Sequence, residues 1–300
     1  MYERATMTKS CASMLAGQVS ANSLEAFELT DEHQPEVLAF LSERPLHTVI
    51  MSGFIRDHGL KSPLNRGSFY ACRDHSGRIK GVALIGHATL VEARVDAALA
   101  ALASVAQHAP RPICVMMGEQ EEIGQFWKYY AARGQSPRLL RRELLYEQRW
   151  PVAVRQPVEG LRRATRDDLR LVIPAHARMA FEESGVNPLE DDPMGFRVRC
   201  ERRIEQGRTW VLVEGGRLIF KADVVAETPG TTYLEGVYVN PEERDRGHGV
   251  RCVSQLSHSL LERTASICLL VHEQNRRAQK VYQKVGYRLR GYYDSIFLQR

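Results

Sequence analysis

The stretch NPEERDRGHGVRCVSQL, Asn240 to Leu256, joins a charged, glycine-spaced turn to a periodic apolar pattern, and that combination suits the binding of an anion. Before it, TYLEGVYV (Thr232 to Val239) has the composition of a β-strand. Strict alternation puts Tyr233, Glu235, Val237 and Val239 on one face and Leu234, Gly236 and Tyr238 on the other. Asn240-Pro241 ends that strand, because proline offers no N–H to a ladder. After the turn, Val250, Val253, Leu256, Leu260 and Leu261 recur at helical spacing, so a helix is predicted to begin close to Gly247. The first N–H groups of a helix have no acceptor within it and point outward. Gly247 and Gly249 carry no Cβ to hold a diphosphate away from them, and Arg244 and Arg246 add positive charge. Taken alone, the turn reads equally as a charged surface loop or as a phosphate cradle.

The residues that follow narrow the choice. SICLLVHEQ reads as a buried strand, and NRRAQKVYQKVGY after it places Ala278, Val281, Tyr282 and Val285 on one helical face, with Asn275 as N-cap and Gly286 as the stop. By itself Tyr282 is a core aromatic. In order and spacing, however, Val237-Tyr238-Val239-x-Pro241, Arg244-x-x-Gly247-x-Gly249 and Asn275-x-x-Ala278-x-x-x-Tyr282-x-x-x-Gly286-Tyr287 together resemble the GCN5-related N-acetyltransferases, the GNAT superfamily. The close match runs from Tyr233 to Tyr287, and a looser one from about Leu161 to Phe297. The whole chain is further similar to tandem GNAT proteins in which a degenerate N-terminal half precedes an active C-terminal half.

The resemblance implies an acetyl-CoA-dependent N-acetyltransferase that transfers acetyl to a primary amine by direct attack in a ternary complex. The alternative it leaves open is a non-catalytic acyl-CoA-binding regulatory module. Acetyl-CoA would lie between the strand ending at Val239 and the strand ICLLVH, with Val237, Tyr238 and Val239 along the pantetheine. The turn from Arg244 through Asp245, Arg246, Gly247, His248 and Gly249 to Val250 would hold the diphosphate, and Asn275, Ala278 and Tyr282 would flank the pantetheine and thiol. Tyr282, a phenol protonated at neutral pH, takes the role of acid toward the departing thiolate. Glu235 is the candidate base, or else an edge-of-sheet carboxylate satisfied by an arginine. Glu182, Glu183 and Tyr292 are the candidates for contacting the acceptor. His272 and His248 read as a half-exposed strand end and a backbone contributor, and Cys252 and Cys268 as small core residues. No metal set is visible, and no Gly-Lys-Ser/Thr follows the glycines as a P-loop would require.

Elements must position these groups, and they occur twice. FELTDEHQPEVLAFL and LRRATRDDLRLVIPAHARMAF each offer a short strand, a Thr N-cap before acidic residues and a helix. SFYACRDHSGRIKGVALIG and TWVLVEGGRLIFKADVVAE each read as a hairpin around a glycine-bearing turn. The expected fold is thus α/β (α+β): two tandem GNAT-like domains, each a mixed sheet flanked by helices, with a V-shaped splay between two central strands for acetyl-CoA. The proline-bearing EQRWPVAVRQPVEG marks the boundary. This gives a loosely ordered lead over 1–24, a degenerate domain over 25–150, a linker over 151–160 and a catalytic domain over 161–300. At the site of the glycine turn the first half has instead the Ala-rich ATLVEARVDAALAALASVAQ.

Composition fits this reading. The 300 residues are 44% hydrophobic and 26% charged, as in an ordinary globular chain. No run of about 18 apolar residues stands free of charge, which argues against a membrane span. The six cysteines fall in no C-x-x-C pair, which favours a reducing, cytoplasmic setting. The net charge of +5 is spread among acids, unlike the stripe of a nucleic-acid binder. The expected partner is a small-molecule or peptide amine, with homodimer formation left open.

Overall fold

The computed structural model describes residues 24–150 and 152–299. Apart from Leu24, the lead expected over 1–24 lies outside the described residues. The first half runs β1 (Ala26–Glu28), α1 (Gln34–Ser42), α2 (Pro45–His58), β2 (Gly67–Arg73), β3 (Ile79–Gly86), β4 (Ala88–Ala93), α3 (Asp96–Gln107), β5 (Val115–Glu119), α4 (Gln120–Tyr130) and β6 (Leu139–Gln148). The second repeats the plan: β7 (Arg162–Arg163), α5 (Leu169–Ser184), α6 (Pro188–Asp191), α7 (Pro193–Glu205), β8 (Thr209–Glu214), β9 (Arg217–Glu227), β10 (Thr232–Val239), α8 (His248–Leu261), β11 (Ile267–His272), α9 (Arg276–Val285) and β12 (Arg288–Phe297). The proposed boundary falls between β6 and β7.

Local chemistry explains the repeat. Thr30 and Thr165 each begin a capping box: the backbone N–H of Thr30 donates to His33 Nδ1 (3.1 Å), and that of Thr165 to Asp168 Oδ2 (2.7 Å). The second hairpin turns on Gly215 and Gly216, both at positive φ, as a tight hairpin between right-twisted strands requires. On α8, Cys252, Val253, Leu256 and Leu260 are fully buried against β9, β10 and β11. Each large apolar side chain there contributes roughly 1.5–3 kcal/mol of burial.

All strands among the described residues join one 12-stranded sheet in the order β1-β2-β3-β4-β5-β12-β6-β11-β10-β9-β8-β7. The halves exchange their last strands. β12, from the end of the chain, enters between β5 and β6, pairing Phe297 with both Val115 and Leu139. β6, from the first half, pairs with β11 from Ile267–Gln148 to His272–Glu143. A core of Val49, Leu145, Ala226, Tyr233, Cys268 and Tyr293 therefore draws on both halves. α2 crosses β9 closely at Gly53, where a Cβ would come within 2.6 Å of Ala226 Cβ. No helix among the described residues is long and apolar enough to cross a membrane.

Candidate functional site

β10 and β11 pair in parallel only from Thr232–Ile267 to Leu234–Leu269 and then part. The cause lies in β10. Its antiparallel register with β9 passes from Glu235–Asp223 to Tyr238–Lys221, so Gly236 and Val237 form a bulge opposite Ala222. Gly236 has a φ of 62°, and a Cβ there would meet Lys221 Nζ at 2.8 Å. Lys221 is wholly buried; its ammonium donates to Gly236 O at 3.3 Å and pairs with Asp223. Burial would raise the Asp223 carboxyl, but the charges of Lys221 and Arg203 overcome it and hold it well below the usual range.

The bulge corrects the alternation expected from the sequence. Tyr233 and Val237 do not share a face: Leu234 packs with Val237 and Val239, whereas Tyr233 turns toward Tyr293 and Cys268. Tyr238 packs against α5 and α7, away from the cleft.

The gap between the parted strands opens into a cleft of about 660 Å³. Val237 and Val239 line one wall, Asn275, Ala278 and Tyr282 the other, and the turn from Arg244 and Asp245 through Gly247, His248, Gly249 and Val250 closes one end. Gly247 caps α8 with a left-handed φ of 82°. Asn275 caps α9, its side chain accepting the Ala278 N–H at 3.1 Å. Of the expected cofactor residues, Arg246 joins Tyr238 outside the lining and pairs with Glu243 at 2.6 Å. Arg244 lines the cleft, with its Nε donating to Val239 O at 3.2 Å.

The far wall supplies cations that the motif reading missed. Arg276, Arg277, Lys280 and Lys284 on α9 all face the cleft. Arg277 reaches Asp245 at 3.4 Å, while Lys280 and Lys284 have no ion-pair partner among the described residues. Their signal was present in NRRAQKVYQK, in the cationic positions between the apolar ones. Unpaired ammonium groups facing the outward N–H groups of α8 fit a phosphorylated, anionic ligand.

Tyr282 is buried between Tyr146 and Tyr287 and yet reaches the cleft, and its hydroxyl has no hydrogen-bond partner among the described residues. Burial pushes its pKa well above that of an ordinary phenol, which keeps it protonated.

On the opposite side of the sheet, carboxylates gather. Glu235 lies near Glu183 at the end of α5 and near Glu143 on β6, and the charges of these groups act on one another. Glu143 is buried, which raises its pKa against the opposing hydrogen bond from Ser295 Oγ (2.7 Å). Glu183 is open to solvent yet walled in by protein. Desolvation first, then the charges of Glu235 and Glu143, push its carboxyl up to about 8. Glu143 comes from the first half by strand exchange, so no local pattern around Glu235 announced it. Of the other expected acceptor residues, Glu182 lines the cleft beside β10 and pairs with Arg178, and Tyr292 stands exposed on β12. Burial holds Cys252 and Cys268 as thiols, with Cys252 pushed up to about 12. Among the described residues, no group of three or more His, Cys, Asp and Glu is placed to hold a metal.

The first half has the matching gap and fills it. β4 and β5 pair from Ala88–Val115 to Leu90–Met117. Beyond, Glu122 accepts the backbone N–H of Ala93 at 2.6 Å, and Arg44 bridges Glu92 (3.1 Å) and Glu119 (2.5 Å).

Residues 216–295 match the family described as FR47-like protein. No curated protein matches the chain by sequence. Among solved structures, it is similar to a Drosophila protein with a TM-score of 0.68 at 13% identity, covering 92% of this chain and 99% of that one. It is also similar to a GNAT-family acetyltransferase from Colwellia psychrerythraea, with a TM-score of 0.57, 10% identity and coverage of 92% and 100%. A third is a tandem GNAT protein from the clavulanic acid biosynthesis pathway, with a TM-score of 0.55, 16% identity and coverage of 93% and 99%. The chain thus has the GNAT fold in tandem, and its second copy carries the segment that matches the FR47-like family.

Proposed function

We propose that the second half is an acetyl-CoA-dependent N-acetyltransferase acting on a primary amine by direct attack. The observation that carries this reading is the cleft beside the parted strands β10 and β11, with a cationic, glycine-turned end for a diphosphate and Tyr282 in its wall. When bound, acetyl-CoA supplies the activated acetyl thioester. Arg244 and the α9 cations hold its phosphates, and the unpaired edge of β10 at Val237 and Val239 orients the pantetheine. Glu183 and Glu235 accept the proton that the amine loses as the C–N bond forms. Tyr282 gives its proton to the thiolate as the C–S bond breaks, and regains one from solvent.

The first half, in this reading, is non-catalytic and shapes the acceptor side through Glu143 on β6. A thiol-release assay with acetyl-CoA against a panel of primary amines tests the proposal. We expect thiol release matched by acetylated amine, and a fall in kcat of about 10²-fold in Tyr282→Phe with acetyl-CoA affinity little changed. Binding of acetyl-CoA without thiol release for any amine would move the assignment to an acyl-CoA-binding module.

A further inference from the structure

Two cavities lie between the halves and share Arg66, His87 and Arg199 in their walls. The first, of about 270 Å³, has Glu235, Arg138 and Phe297 among its lining residues. The second, of about 210 Å³, has Arg66, Arg199, Arg202, Arg203 and Arg208 in its wall, and among its lining residues only Asp57 is acidic.

The arginines of this second cavity differ in how they are neutralised. Arg208 grips Asp57 through both terminal nitrogens, at 2.5 and 2.8 Å. Arg203 pairs with Asp223 at 3.1 Å and Arg199 with Asp192 at 2.9 Å. Arg202, half-buried on α7, has no ion-pair partner among the described residues. A guanidinium set in a wall among like charges raises the electrostatic energy of the fold unless an anion arrives to offset it.

The acidic and basic ends are near neighbours. Glu235 stands opposite Asp223 in the β-ladder, Asp223 is held by Arg203, and Arg203 senses the charge of Glu235. Glu235 and Asp223 lie on neighbouring strands, roughly 5 Å apart. The two adjoining cavities thus differ in charge: one reaches the carboxylate of Glu235, the other is walled by arginines.

We propose that the acceptor is an amine that itself carries an anionic group, a carboxylate or a phosphate, with its nitrogen at Glu235 and Glu183 and its anion taken by Arg202 beside Arg199. This rests on the acetyltransferase reading above and names the substrate class of the same site. The first half then takes part in recognition, because Arg66 and His87 complete the passage between the two ends.

Matched pairs test it: O-phosphoethanolamine against ethanolamine, and 3-aminopropanoate against propylamine, titrated calorimetrically into the full-length protein with CoA present at constant ionic strength. We expect at least one anionic member to bind about tenfold or more tightly than its neutral-tailed partner. Arg202→Gln is expected to remove that preference and Arg202→Lys to restore part of it, while the affinity for CoA reports the integrity of the fold. The arm that responds shows whether the anion is phosphate or carboxylate. Equal binding within both pairs, no binding of either anionic amine, or an undiminished preference in Arg202→Gln overturns the proposal. Thiol release with acetyl-CoA is scored separately: binding with the expected preference but no release removes the acetyl-transfer reading and leaves the anion site standing.

Discussion

Glu183 is the side chain whose chemistry the fold alters most usefully. A free glutamate is fully ionised well below neutral pH, whereas desolvation and the charges of Glu235 and Glu143 bring Glu183 up to about 8. A general base works only when ionised, so the proton-accepting form of Glu183 is lost as pH falls below about 8. We therefore expect kcat/KM to rise with pH through this region and the limb to disappear from it in Glu183→Gln. An unchanged limb in that variant would return the role to Glu235 alone. Tyr282, by contrast, was readable from the start, because its spacing from Asn275 and Gly286 already fixed its place on α9. Glu183 was visible only as one of two adjacent glutamates, with nothing in the sequence to set it apart from Glu182. What distinguishes it is the gathering of Glu143 from β6 and Glu235 from β10 around it, which no local pattern encodes.

At the scale of elements, the cleft depends on one bulge. Alternation along TYLEGVYV predicted an unbroken strand, and the only sign against it was Gly236 in mid-strand, a common marker of a bulge. The partner that holds the bulge, Lys221, sits inside an apolar strand pattern where its charge has no obvious use until Asp223 and Gly236 O are placed around it. Removing one member of a buried pair leaves the other charge uncompensated and costs about 3–5 kcal/mol. Lys221→Met is expected to lose stability of this order in urea unfolding, and Lys221→Met with Asp223→Leu to lose more, because Arg203 is then left without its partner. A single variant within about 1 kcal/mol of the parent would show that the pair does not hold the strand. Helix ends were far more legible than this. Asn275, Gly286 and the two Thr caps act through neighbours within four residues, so sequence spacing specifies them almost completely.

At the scale of the molecule, the repeat was legible and the exchange of strands was not. The paired hairpins and caps betray two copies of one unit, but local sequence says nothing about which copy receives β6 and β12. Because β12 stands between β5 and β6, a chain ending at residue 150 loses the strand that joins its own sheet. We expect such a fragment to lack a cooperative thermal transition by circular dichroism, and a 151–300 fragment, deprived of β6, to behave likewise until the two are combined. Independent two-state melting of either fragment would contradict the exchanged sheet as the basis of folding. The closed gap in the first half carries the same logic into function, since Glu122 already takes the Ala93 N–H and Arg44 spans the opening.

That asymmetry is the centre of the account, and calorimetric titration of acetyl-CoA into the full-length protein tests it most directly. The expected result is one molecule bound per chain, with affinity lost in Gly249→Leu, where the added side chain enters the cleft beside Val239 and Val281. Two molecules per chain, or one still bound with full affinity by Gly249→Leu, would contradict it.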